Sequence, residues 1–318
     1  MRIVVLDAFS IDQGELSWDE LRAFGEVAIH PRTGPADVVA RAAGADAIFT
    51  NKVLVTREVV AALPRLRYVG IVATGTNVVD FDACRARGIA VTNVPGYCAD
   101  AVAQFVFAAL LHVMENLGDY ASAVKANRWA ESPDYCFFLH RHRELAQKRM
   151  AILGLGNIGR RVASIASAFG MEAMATAVPG GTVAGRLSLD RALPAADVVS
   201  LHCPLTDATR GMVNARFLAS MKPGAILVNT SRGGLVDEGA LLEALAKGTL
   251  GGAILDVLGE EPPRRDHPLL DREAPWAPRA LVTPHIAWGK VEARERLIHI
   301  AAGNLGAFTR GERQNRVD

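Results

Sequence analysis

"ILGLGNIGRR", Ile152 to Arg161, runs an apolar stretch into three glycines, Gly154, Gly156 and Gly159, spaced as G-x-G-x-x-G. Read as a strand turning into a helix, it has a chemical use. The first glycine permits the tight turn, the second lets the backbone approach a pyrophosphate, and the third lets helix and strand pack closely, while the helix N-terminus draws negative charge. Gly154, Gly156, Asn157, Ile158 and Gly159 are therefore candidate cofactor-binding residues. The spacing alone is weak evidence, and its weight comes from the elements on either side.

Around it, short apolar runs alternate with helical patterns, the signature of parallel sheets built from right-handed crossovers. "RMAILGLG", "MEAMATA", "DVVSLHCP", "AILVNTS", "GAILDVL" and "ALVTPHIA" read as the strands of one dinucleotide fold. Upstream, "RIVVLDAF", "DAIFTN", "YVGIVATG" and "IAVTNV" form a separate series, with "PADVVARAAG" and "TREVVAALP" as helical stretches between them. A long helix from about Ala101 links the two series, and the last helical stretch, "KVEARERLIHIAAGNLGAF", is expected to return to the first. The fold class is thus α/β: two Rossmann-like, doubly wound parallel-sheet domains with a cleft between them. Residues 1–99 plus 288–318 make a discontinuous substrate domain, and residues 100–287 the dinucleotide-binding domain.

Composition narrows the partners. The 318 residues carry 35 basic and 34 acidic side chains, so no net positive field draws the chain to nucleic acid or an anionic membrane, and a small molecule is expected. Cys84, Cys98, Cys136 and Cys203 form no C-x-x-C pair, so no disulfide framework and no metal site is indicated. The N-terminus reads as a strand rather than a signal peptide. "AVAQFVFAALLHVM" falls short of the ~20 residues of a membrane span, which makes the expected location cytoplasmic.

Polar groups close three apolar strands of the second series, at the carboxyl edge where ligands bind in such sheets. Arg232 follows a strand in "VNTSRGGLVDEGAL", Asp256 and Glu261 lie in "GAILDVLGEEPP", and His285 follows Pro284 in "LVTPHIAWGK". Taken singly, each has a plainer explanation, Arg232 as an ion-pair partner of Asp237 or Glu238 for example. Three on one edge point to catalysis.

These stretches, with "FTNKVLVT", "ATGTNVVDFDACRARGIAVTNVPGY", "SLHCPLTDATRGMVN" and "MKPGAILVNTSRGGLVDEGAL" in the same order, make nearly the whole chain resemble the D-2-hydroxyacid dehydrogenase family, and within it the glycerate dehydrogenases or hydroxypyruvate reductases. The resemblance implies that Arg232, Glu261 and His285 are catalytic, and that Lys52, Thr74 and Gly75 bind the substrate carboxylate. It sets Cys203, Pro204, Thr209, Thr230, Ser231 and Asp256 along the cofactor, with Asp256 holding the carboxamide. It also implies reduction of hydroxypyruvate to D-glycerate, glyoxylate to glycolate as a further activity, and a homodimer formed through the cofactor domains.

Residue chemistry agrees with those roles. Oxidising a 2-hydroxy acid requires removal of the hydroxyl proton as hydride leaves the same carbon for the nicotinamide. His285 can take that proton, and an ionised Glu261 beside it fixes the ring tautomer and stabilises the charge the ring then carries. Arg232 can clamp carboxylate and carbonyl oxygens together. The glutamate–histidine pair speaks against a formate dehydrogenase, whose histidine has an amide partner, and a chain ending soon after His285 speaks against a phosphoglycerate substrate. A cofactor-sensing regulatory protein of the same fold, and a dehydrogenase for another D-2-hydroxy acid, are the alternatives.

Several residues depart from the family pattern. "FFLHRHRELAQKRM" puts His140, Arg141, His142 and Arg143 where relatives have an apolar loop, and Gln147 where they have glycine. Gln104 stands where many have glutamate. In "AMATAVPGG", Ala177 and Val178 occupy the place of the carboxylate that grips the ribose about 20 residues past the glycines in NAD-specific sites. That carboxylate also repels the 2′-phosphate of NADP, so a relaxed site for NAD or NADP is expected, with Arg186 or Arg160 as candidate phosphate partners.

Overall fold

Runs of Val, Ile, Leu and Ala four or five residues long give strands buried on both faces, as parallel sheets covered by helices require. The computed structural model describes Met1–Asp318, which divide into two units: Met1–Cys98 with Gly289–Asp318, and Ala99–Trp288.

The first unit holds a parallel sheet of β1 (Arg2–Val5), β2 (Glu26–Ile29), β3 (Ala47–Thr50), β4 (Tyr68–Ile71) and β5 (Ala90–Thr92) in the order β2-β1-β3-β4-β5. The strand order reverses between β1 and β3, which opens a crevice at their carboxyl ends. Strand β2 is absent from the expected series. It is a half-exposed edge strand whose apolar run is only the three residues Val27–Ile29, and pairing with β1 defines it. The C-terminal helix Val291–Thr309 packs on this sheet, where Phe308 meets Tyr68 at 5.1 Å between ring centroids and Asn304 Nδ2 donates to Asn93 O at 2.9 Å.

The second unit begins with α1 (Ala99–Glu115) and α2 (Leu117–Lys125), followed by a six-stranded parallel sheet. Its strands are β6 (Arg149–Leu153), β7 (Glu172–Thr176), β8 (Val198–Leu201), β9 (Ile226–Asn229), β10 (Gly252–Leu255) and β11 (Ala280–Val282), in the order β11-β10-β9-β8-β6-β7. Helix α3 (Asn157–Ala168) follows β6, and α4 (Glu238–Lys247) follows β9. Asp237 caps α4 by accepting from Ala240 N at 3.1 Å, and Gly248 ends it in the left-handed conformation at φ 70°. On α1, Phe107 stacks on Phe169 at 5.4 Å. No single helix is long and apolar enough to cross a membrane.

The first sheet contains one buried polar contact whose removal can be measured. Tyr68 and Thr92, both buried, bring their hydroxyls to 2.6 Å, and burial pushes the Tyr68 phenol upward from its ordinary pKa. Y68F leaves the Thr92 hydroxyl without that partner, and urea unfolding is expected to show a loss of ~1–2 kcal/mol, the usual cost of stranding a buried polar group.

Candidate active site

Strand β6 ends at Leu153, and the chain turns at Gly154 with φ 101°, a conformation L side chains rarely adopt. A Cβ there would stand 2.6 Å from the His202 carbonyl, and one on Gly159 would stand 2.0 Å from Gly154 O, so both glycines are fixed by close approach. Gly156 differs. A Cβ on it would meet nothing within 4 Å, and no side chain caps α3, so no capping side chain competes for the N–H groups of its first turn. A helix N-terminus with an open glycine cradle fits a dinucleotide pyrophosphate.

The neighbouring strand ends are held by their own hydrogen bonds. Ser231 Oγ donates to the carbonyl of buried Cys203 at 2.6 Å, and Thr209 Oγ1 donates to Pro204 O at 2.8 Å. Burial raises the Cys203 thiol to a pKa of about 11, so it carries no thiolate chemistry. Thr230 differs again, because its hydroxyl is buried with no hydrogen-bond partner. Strand β7 stops at Thr176, one residue short of the expected end, and half-buried Ala177 and Val178 open a loop whose one charged side chain before Ser188 is Arg186. Arg160 is exposed on α3.

Strands β9, β10 and β11 are adjacent, and their carboxyl ends carry Arg232, Asp256 with Glu261, and His285. Of these, the structure brings Glu261 and His285 into direct contact. Glu261 Oε2 lies 2.7 Å from His285 Nδ1, while Glu261 Oε1 accepts from Leu258 N at 3.0 Å. With Nδ1 bound to a carboxylate, Nε2 is the nitrogen left to give or take a proton. His285 adopts φ 55°, unusual for any residue but glycine, and is held there by hydrogen bonds on both sides: its N–H donates to Asp256 O at 2.8 Å and its carbonyl accepts from Trp288 Nε1 at 2.9 Å. The Asp256 carboxylate, 1% exposed, accepts from Thr283 Oγ1 (2.6 Å), Ile286 N (2.9 Å) and Ala287 N (2.8 Å). Burial shifts its pKa upward, and those hydrogen bonds oppose the shift.

Arg232 forms no ion pair, which sets aside its pairing with Asp237 or Glu238. Half-buried, it donates from Nη1 to Ser231 O at 2.7 Å, and Asn229 shapes its turn by accepting from Ser231 N (3.0 Å) and donating to Arg232 O (2.9 Å). In the first unit, buried Asp7 at the end of β1 accepts from the N–H groups of Asn51 (2.9 Å), Lys52 (2.6 Å) and Val53 (3.2 Å), which fixes the loop after β3. Thr74 Oγ1 donates to Val94 O at 2.9 Å, and no intramolecular acceptor meets the N–H of Thr74 or Gly75. Sequence reasoning offers no role for Asp7, Asn229 or His267, and for Glu238 only an ion pair with Arg232; for Asp7 and Asn229 the available signal is an abrupt polar residue closing an apolar run.

The unusual basic loop folds back on its own unit. His140 Nε2 pairs with Asp119 (2.7 Å), and His142 bridges Glu115 (3.0 Å) and the Tyr120 hydroxyl (2.8 Å), while Arg141 and Arg143 remain exposed. Gln147 has φ 65°, which explains why a glycine suits that position. Gln104 is exposed on α1, and nothing in the structure assigns it a task.

Comparison with known proteins places this geometry. A family model described as "D-isomer specific 2-hydroxyacid dehydrogenase, NAD binding domain" matches residues 107–287. The chain belongs to that family. It is 40% identical to a hydroxypyruvate reductase of Blautia hydrogenotrophica across the whole of both chains. Among solved structures it is similar to the TT0316 protein of Thermus thermophilus, with 35% identity, a TM-score of 0.86 and full coverage of both chains. An acyclic imino acid reductase in complex with NADPH and D-Arg is 27% identical with a TM-score of 0.83, again over both whole chains. The protein is thus an oxidoreductase of the 2-hydroxyacid dehydrogenase type with an NAD-binding domain.

Proposed function

We propose that this dehydrogenase reduces hydroxypyruvate to D-glycerate, with His285 as the acid–base group. The observation that carries the reading is the 2.7 Å contact between Glu261 and His285 on the sheet edge where Arg232 keeps a guanidinium free of any carboxylate. The substrate follows from the full-length likeness to a hydroxypyruvate reductase.

The bound dinucleotide supplies hydride from its nicotinamide. Doubly protonated His285 donates its Nε2 proton to the substrate's carbonyl oxygen, and Glu261, accepting from Nδ1–H, keeps the remaining proton on that nitrogen. Arg232 holds carbonyl and carboxylate oxygens through its fork of donors and polarises the carbonyl. The carboxylate is assigned also to Lys52 and to the N–H groups of Thr74 and Gly75. Gly154, Gly156, Asn157, Ile158 and Gly159 receive the pyrophosphate, with Cys203, Pro204, Thr209, Thr230, Ser231 and Asp256 along the rest of the dinucleotide. Ala177 and Val178 face the adenosine ribose, and without a carboxylate there the enzyme accepts both NADH and NADPH. A homodimer is supported by the apolar side chains of α2 and the following segment, among them Leu117 (66% exposed), Phe138 (77%) and Tyr135 (93%), which a second copy would cover.

Three measurements test these assignments. H285A should lower kcat with hydroxypyruvate ~100-fold or more while dinucleotide affinity stays near that of the parent, and near-normal turnover would remove His285 from the mechanism. The ratio of kcat/KM for NADH to that for NADPH should stay below ~100-fold, about 2.7 kcal/mol, and a larger preference for NADH would refute the relaxed ribose site. Light scattering at micromolar concentration should report a dimer; a monomer would overturn the assembly.

A further inference from the structure

The loops that carry Arg232 and Glu261 touch through their backbones. A Cβ on Gly233 would lie 1.8 Å from Leu258 O and 2.4 Å from Gly259 N, so only a glycine lets the Arg232 turn rest on the turn that leads to Glu261. At the same place Glu238, the first residue of α4, extends its carboxylate. Oε1 accepts from Gly259 N at 2.8 Å, and Oε2 lies 3.1 Å from Nε2 of His267.

His267 is 7% exposed, and its Nδ1 accepts from Leu269 N at 3.3 Å. Because Nδ1 is an acceptor, the ring proton sits on Nε2 and points at Glu238. The bonds therefore run one way: the Leu269 N–H donates to the ring, the ring donates to Glu238, and Glu238 still has an oxygen for the Gly259 N–H. The preceding N–H, that of Leu258, donates to Glu261 Oε1 at 3.0 Å. Two glutamates thus hold consecutive amides of one turn, and Glu261 is the one that reaches His285.

We infer that Glu238, locked by His267, is a positioning residue for proton transfer: it fixes the Leu258–Glu261 turn so that Glu261 presents Oε2 to His285. It touches no reacting atom. The inference rests on the reading of His285 as the acid–base group. A glutamate that merely favoured the N-terminus of α4 would affect stability alone. A positioning glutamate acts through Glu261, and that difference can be measured.

The test compares E238A, E261Q and the double variant. E238A is expected to lower kcat with hydroxypyruvate about 30-fold, part of the ~100-fold or more that a lost acid–base group costs, with KM nearly unchanged. In the E261Q background the same change should cost nothing further, because both act through one hydrogen bond. A readout independent of turnover is the low-field Nδ1 proton signal of His285, identified by its loss in H285A, in protein without dinucleotide or substrate. It should be present in the parent and absent or broadened in both E261Q and E238A. If E238A does not fold, E238Q carries the test, since its amide oxygen can still receive the Gly259 N–H while its NH2 opposes the His267 proton; the same changes are expected, smaller. Parental kcat with an intact signal, or a double variant that falls by the product of the two single effects, would overturn the inference. A parent enzyme that leaves hydroxypyruvate unchanged, yet loses the His285 signal on E238A substitution, refutes the substrate reading and upholds the positioning role.

Discussion

The carboxylate of Asp256 is the constraint on which the edge that carries His285 depends. It is 1% exposed, and burial alone disfavours its charge. Three donors oppose that cost, and each hydrogen bond to an ionised group contributes ~1.5–3 kcal/mol. They come from Thr283, Ile286 and Ala287, on both sides of His285. The chain is thereby drawn onto β10 before and after the histidine, and the residue between them has to turn sharply. Its φ of 55° carries a local cost of ~1–2 kcal/mol that these bonds exceed. Strain at His285 follows from the way Asp256 gathers its donors.

The first unit uses the same device at the point where its strand order reverses. Strands β1 and β3 lead away to opposite sides there, which leaves the loop after β3 with N–H groups that no sheet neighbour accepts. Asp7 takes the amides of Asn51, Lys52 and Val53. A surface acid in its place would lose those bonds to water. Because Asp7 is buried, its bonds to the loop are shielded from water, and they hold the backbone from which Lys52 leaves.

Much of this was legible in the sequence because parallel strands buried on both faces are written as continuous apolar runs, and because the polar residues of the carboxyl edge come where such runs stop. Arg232, Asp256 and His285 could be found in that way. Strand β2 could not, since Glu26–Ile29 lies at an edge and its pairing with β1 is a long-range property. The partnership of Glu238 with His267 was equally hidden. Glu238 reads as an ordinary first-turn acid of a helix, and His267 as a histidine in a proline-rich loop; only folding brings them to 3.1 Å. Asp7 is visible as a polar residue closing an apolar run, but its task is not, because backbone amides are its partners and every residue but proline has one. Ala177 was informative through what it lacks, which sequence shows as well as structure does.

Arg232 shows how these local satisfactions leave one cation without a carboxylate partner. Two acids follow it closely in the chain, and either could have neutralised it. Asp237 is occupied with Ala240 N at the start of α4, and Glu238 with Gly259 N and His267. With each acid engaged by a donor of its own, the guanidinium is left with a single backbone carbonyl, that of Ser231. A half-buried cation in that position is only partly solvated, so a carboxylate that brings both oxygens to its fork gains more there than it would from a fully hydrated arginine. The acids beside Arg232 therefore favour anion binding there by being satisfied elsewhere, and the hydrogen bonds that look merely structural set the charge that Arg232 presents.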